Sequence, residues 1–157
     1  MTVQIAVKRS VVHGSFTITR NWPHPPAKVF QAFADRDAKD KWFAGGPDLT
    51  RLSREFDFRE GGREHVAGRW KTGVVSTFDS IYLDIVPNER IVYSYTMHLD
   101  DRKISVSQAC IELKPDGEGT KLIVTEHGDF LDGYDNAGSR EHGTNFLMDA
   151  LGKSLEA

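Results

Sequence analysis

Apolar and polar positions alternate along most of the chain, and the period of that alternation changes three times. From Ser15, Phe16 and Ile18 alternate with Thr17 and Thr19, the period-two pattern of a strand that ends near Trp22. Pro23, Pro25 and Pro26 stop it, and Pro26 suits the first turn of a helix, where its missing N–H is not needed. Val29, Phe30 and Phe33 form the apolar stripe of a short helix. Asp35 to Phe43 reads as a second short helix ending in the aromatic pair Trp42 and Phe43, and Gly45, Gly46 and Pro47 break the chain again.

Period two returns from Leu49 to Thr125. Phe56 and Phe58 alternate with Asp57 and Arg59, and Gly61 and Gly62 turn that strand back into Arg63 to Trp70. A long strand covers Val74 to Val86, followed by the turn Pro87–Asn88–Glu89. Ile91, Tyr93, Tyr95, Met97 and Leu99 then share one face of a strand, with Val92, Ser94, Thr96 and His98 on the other. Asp100–Asp101 leads into Ile104 to Leu113, and Pro115 to Gly119 leads into a last strand, where Leu122, Val124 and Glu126 share a face. Residues 1–12 read as an arm with partial strand character, and 13–157 as one domain. One strand, two short helices, about six strands and one long helix predict an α+β fold: a curved antiparallel sheet around the C-terminal helix.

That helix is expected from about Asn136 to Leu155, with Leu147, Met148 and Leu151 buried, Leu155 on the same face, and Asp135 or Asn136 as cap. Its first half, Ala137 to Thr144, has no large apolar side chain and contains Gly138 and Gly143, although Gly costs roughly 1 kcal/mol relative to Ala inside a helix. Close backbone approach or open space beneath the helix accounts for the two glycines. Open space there outlines a ligand cavity beside Thr144, walled by some of Trp42, Phe43, Tyr93, Tyr95 and Met97. Each of these aromatics, taken singly, also suits ordinary core.

Composition narrows the classes. A length of 157 residues, 39% of them hydrophobic, suits one domain with one core, and no apolar run is long enough to span a membrane. The first twelve residues lack the apolar stretch of a signal peptide. A net charge of -3 gives no general attraction to nucleic acid or to an anionic membrane. The lone cysteine, Cys110, excludes an intrachain disulfide, suits a reducing cytoplasm and reads as structural.

Glu126 is the polar residue with the most chemistry in prospect. Its parity with Leu122 and Val124 points it at the inner face, where a carboxylate is costly unless paired, hydrogen-bonded or neutral. It reads either as an acid–base group or hydrogen-bond partner for a ligand, or as a strand-end residue reaching solvent or an arginine such as Arg140. Gln108 has no assignable face, because Val106 argues for inward and Ala109 and Ile111 for the opposite parity. His13, His24, His65, His98, His127 and His142 show no metal-ligand spacing, so no metal or other cofactor is expected. The acidic loop from Asp129 to Asp135 lacks the order of a calcium loop, and no Ser–His–Asp set can be placed.

Several stretches together carry a family resemblance. They are PPAKVFQAFAD (Pro25 to Asp35) followed by KWF, DFREGG (Asp57 to Gly62), DIVPNERIVYSY (Asp84 to Tyr95), and GTKLIVTEHGDF (Gly119 to Phe130) with the terminal helix. In order and spacing they resemble the activator-of-Hsp90-ATPase-homologue-like (AHSA1-like) branch of the START-like superfamily over about residues 13–155. The resemblance implies the helix-grip fold. It departs at the terminal helix, which in broader relatives often opens with Gly-Trp, whereas here Gly143 is followed by Thr144, implying a roomier or differently shaped pocket.

START-like relatives include lipid and hormone carriers and polyketide cyclases, and the Hsp90 activators are co-chaperones. The leading expectation is a binding module for a small hydrophobic or aromatic molecule rather than an enzyme, with Trp42, Phe43, Tyr93, Tyr95, Met97, Glu126 and Thr144 as ligand-contacting residues. A cyclase- or hydrolase-like enzyme with Glu126 as acid or base is the second reading. A co-chaperone-like interaction protein, with a chaperone partner by analogy alone, is the third. A homodimer is compatible with all three.

Overall fold

In the computed structural model, which describes residues 8–156, the elements follow the predicted order. Strand β1 is Val11–Trp22, α1 is Pro26–Ala34, α2 is Arg36–Asp40, β2 is Leu49–Phe56 and β3 is Arg63–Trp70. They are followed by β4 (Val75–Val86), β5 (Arg90–Leu99), β6 (Arg102–Asp116), β7 (Gly119–Leu131) and α3 (Ala137–Ser154). One seven-stranded sheet runs β1-β7-β6-β5-β4-β3-β2, and every pairing is antiparallel. The first and last strands pair, so α1 and α2 carry the chain across from one edge of the sheet to the other.

Three local expectations are corrected. The expected arm, residues 1–12, lies partly outside the described residues, but Val11 and Val12 already belong to β1, opposite Leu131 and Phe130. His13 and Gly14 interrupt the apolar alternation that marks the strand from Ser15, and pairing with β7 carries the strand through them. The second helix stops at Asp40 rather than Phe43. Asp35 caps it, accepting from the Ala38 N–H at 3.0 Å, and the Trp42 indole turns into the core to donate to Ala32 O at 2.9 Å. Phe58 lies past the end of β2, where it packs edge-on against Phe30 and Tyr82.

The inner face of the sheet supplies the core in cross-strand rows. Ile18, Val124, Ile111 and Ile91 are successive partners across β1, β7, β6 and β5, and all are buried. Val29, Phe30 and Phe33 of α1 close one end, and Met148, Leu151 and Leu155 pack from α3. Asn136 caps α3, accepting from the Ser139 N–H at 2.8 Å. At the other end Lys28 Nζ donates to Leu155 O at 2.7 Å, a cation at the negative end of the helix. Leu147, expected to be buried, is half-buried at the flank of the Met148–Leu151–Leu155 stripe. Gly138 and Gly143 are exposed, and a side chain on Gly143 would meet open space. They face away from the sheet, so the space their missing side chains leave lies on the outer side of the helix rather than beneath it. The close approach is made elsewhere: a Cβ on Gly14 would lie 2.6 Å from that of Ala137. Arg20 adds hydrogen bonds to Asn145 and Asp149, so α3 leans on β1.

Candidate functional site

Strand parity brings the predicted polar residue inside. Glu126 lies on the same face as Leu122 and Val124 and is 4% exposed. Tyr95 reaches it from β5: the Tyr95 hydroxyl donates to Glu126 Oε1. From the first turn of α3, Arg140 Nη1 donates to the same hydroxyl at 2.8 Å, and Nη2 reaches Ser105 Oγ at 2.7 Å and Asp135 Oδ2 at 3.0 Å. Arg140 and Glu126 make no direct ion pair; Tyr95 stands between them. Burial raises the Glu126 carboxyl above its ordinary value, while the Tyr95 hydrogen bond and the Arg140 charge pull the other way and lose. Burial also raises the Tyr95 and Tyr93 phenols, which therefore stay protonated.

A proton position follows from donor chemistry. Arginine only donates, so the Tyr95 oxygen accepts from Arg140 and its own proton points at Glu126 Oε1. In the neutral acid, Oε1 is thus the acceptor and Oε2 carries the hydrogen. Glu126 Oε2 and the inward Ser107 Oγ are both buried with no hydrogen-bond partner among the described residues.

The other candidates divide. Tyr93 lies 5.9 Å from Tyr95 between ring centroids, and Phe78 links Tyr95 to Phe43, at 4.9 and 5.2 Å. Phe43, Tyr93 and Met97 pack around the Val66–Phe78–Tyr95 cluster yet remain only half-buried. Trp42 is buried among Phe33 and Phe43 and belongs to the packing of α1 and α2. The Thr144 hydroxyl donates to Arg140 O at 3.0 Å, one turn back in its own helix. Gln108, whose face the sequence left open, points outward, since Ser107, Ala109 and Ile111 are buried and Gln108 is exposed. The half-buried Cys110 thiol is pushed up by burial, which keeps it protonated and unreactive.

A second buried network was not anticipated. Glu64 of β3 is 1% exposed and accepts from Lys39 Nζ and from the Tyr82 hydroxyl, both at 2.6 Å. Arg54 Nη1 lies 2.7 Å from Glu64 Oε2 at an angle too oblique for a hydrogen bond, so that contact is Coulombic. Lys39 Nζ also sits 4.6 Å from the Phe43 ring centre, a cation–π contact. Burial would raise Glu64, but Lys39, the Tyr82 hydrogen bond and Arg54 together prevail and hold it below the ordinary carboxylate value. Burial lowers Lys39, with Glu64 opposing and Arg54 assisting. The available signal was the inward parity of Glu64 with Val66 and Gly68; its cations come from elements distant in sequence. The network ties α2 to β2, β3 and β4 beside Phe43.

On the outer face, a depression of about 600 Å³ is lined by His13, Ser15, Ser94, Gln108, His127 and Asp129. Among the described residues no group of three or more His, Cys, Asp or Glu is placed to hold a metal ion, and no helix is long and apolar enough to cross a membrane.

Known structures share this architecture. A protein of uncharacterized function from Rhizobium leguminosarum is 38% identical with a TM-score of 0.90, over 95% of this chain and 98% of that one. The Mll3558 protein from Rhizobium loti is 41% identical with a TM-score of 0.86, over 92% of this chain and 99% of that one. An AHSA1-like protein from Aeromonas hydrophila, 17% identical with a TM-score of 0.68 over 91% of this chain and 92% of that one, shares the fold. No curated protein matches the chain. Residues 23–156 match the family described as Activator of Hsp90 ATPase homolog 1-like protein. With that match spanning nearly all of a START-like helix-grip fold, the chain belongs to the Activator of Hsp90 ATPase homolog 1-like family.

Proposed function

We propose that the protein is a binding module for a small, neutral aromatic molecule bearing a carbonyl, held between the inner face of the sheet and the first turns of α3. The observation that carries this reading is Glu126 Oε2, buried and unpartnered beside the Tyr95–Arg140 pair. A buried polar atom without a partner costs about 1–3 kcal/mol, and a ligand that supplies the partner recovers it. Burial favours the neutral acid at Glu126, and in that form, with Tyr95 on Oε1, the free position is a donor that calls for an acceptor. The half-buried rings of Phe43 and Tyr93 and the thioether of Met97 supply apolar contact for the body of the ligand. Membership of the family supports a ligand-binding type of module.

Acetophenone and ethylbenzene test this, because they match in shape and differ in the carbonyl. Titrated into protein carrying ¹³C-methyl methionine, acetophenone should shift the Met97 methyl resonance and bind severalfold more tightly than ethylbenzene. That preference is the worth of one hydrogen bond, about 0.5–1.5 kcal/mol. Equal affinities would remove Glu126 from the reading, and an unmoved Met97 resonance with both compounds would end it. Native mass spectrometry of protein from cell extract would then identify the molecule carried.

A further inference from the structure

On the outer face, at the β2 end of the sheet, three neighbouring strands carry a chain of polar groups. Ser53 Oγ lies 2.6 Å from His65 Nε2, and His65 Nδ1 lies 2.6 Å from Asp79 Oδ1. Donor chemistry fixes the direction. The Asp79 carboxylate only accepts, so Nδ1 carries a ring proton; in the neutral imidazole Nε2 is then the acceptor and the Ser53 hydroxyl donates to it. This is the order of nucleophile, base and orienting carboxylate that activates a serine for acyl transfer.

The strands place the three with some specificity. His65 is directly opposite Asp79 across β3 and β4, and opposite Glu55 across β2 and β3. The register of β2 shifts between Arg51 and Ser53, and a bulge of this kind re-aims the side chain beside it. Strand β2 is also an edge of the sheet. The Asp57 N–H donates to Arg63 O at 3.0 Å, so by strand alternation the Glu55 and Ser53 N–H groups also face β3, and the Arg54 N–H points off the free edge. A free N–H on the residue after the nucleophile is one of the donors that serine hydrolases aim at the developing oxyanion. The His65 side chain is 25% exposed and that of Asp79 49%, so the base is accessible from solvent.

We infer that Ser53, His65 and Asp79 form a hydrolytic site for small activated esters on the outer face of the sheet. Ser53 Oγ attacks the ester carbonyl carbon as its proton passes to His65 Nε2, and the oxyanion forms beside the Arg54 N–H. Collapse expels the alcohol, which takes the proton from His65, and leaves acyl-Ser53. Water then attacks the acyl carbon with His65 again as base, giving the acid and free Ser53, so one ester and one water yield one acid and one alcohol. The site is open and flat, so it favours a substrate whose leaving group departs readily and which needs no enclosing pocket.

The test treats the folded full-length chain with a fluorophosphonate probe and maps the adduct by peptide mass spectrometry. A single adduct on Ser53 is expected, absent in Ser53→Ala and in heat-denatured protein. Asp79→Asn should label at least about tenfold more slowly while its urea midpoint stays near that of the parent, since an oriented general base contributes roughly 10²–10⁴-fold. If Ser53→Ala fails to fold, the mapped position on the parent chain decides. No adduct on the folded protein, an adduct elsewhere, or Asp79→Asn and His65→Gln labelling at the parent rate would each overturn the assignment. The acetophenone experiment reads the opposite face, so the two inferences stand or fall separately.

Discussion

Replacing Glu126 by Gln removes one ionisable group and changes little else. The amide oxygen still accepts from Tyr95, and the NH₂ donates where the neutral acid's Oε2–H would. The magnitude follows from linkage. The folded protein holds the Glu126 proton more tightly than the ordinary value near 4.5, because burial outweighs Tyr95 and Arg140. Between the ordinary value and the raised one the folded state therefore binds more protons than the unfolded state, and stability falls as pH rises through that window. Each unit of elevation costs the parent about 1.4 kcal/mol once pH is above both values. Near pH 4 both chains present a neutral group and should agree within about 1 kcal/mol, an ordinary difference for a buried near-isosteric change. As pH rises above the ordinary value Glu126→Gln should become the more stable, with the gap growing until the pH passes the raised value. Urea unfolding followed by tryptophan fluorescence at closely spaced pH values measures this. A variant that is less stable at neutral pH, with the gap closing on acidification, would mean that Arg140 holds Glu126 ionised, and the neutral-donor reading would fail.

Glu64 should behave with the opposite sign. Its folded value is held down by Lys39 and Arg54, so its contribution is present above the ordinary carboxylate value and is lost as pH falls. Glu64→Gln takes from Lys39 the carboxylate it is paired with and leaves Arg54 to Asp40, and should cost about 3–5 kcal/mol at neutral pH, less in acid; an unchanged urea midpoint would show the network is not ionised. Leu151, with no exposed surface, should cost about 2–5 kcal/mol as Leu151→Ala in the same assay. A loss below about 1 kcal/mol would mean α3 is not seated as described.

The sequence by itself determined the elements and the inner face. Period-two runs are a local property of the backbone, so Leu122, Val124 and Glu126 could be assigned to one face before their neighbours were known, and all three are buried. The N-terminal cap of α3 was legible for the same reason, narrowed to Asp135 or Asn136, since Asn136 acts on a backbone N–H three residues away. Leu147 and the two helix glycines were misread because a heptad-like stripe does not say how a helix is rotated on a sheet; the contact of Gly14 with Ala137 and the Arg20 hydrogen bonds decide that rotation. Arg140 was one partner the sequence offered for Glu126; that Tyr95 stands between them, and the other partnerships between distant residues, came only from the tertiary structure. Arg140 meets Glu126 through Tyr95, Glu64 collects Lys39 and Arg54, and Ser53, His65 and Asp79 line up across three strands. Each depends on strand register, and the Ser53 alignment also on the bulge in β2; register is set by the pairing of whole strands, which no single stretch of sequence contains.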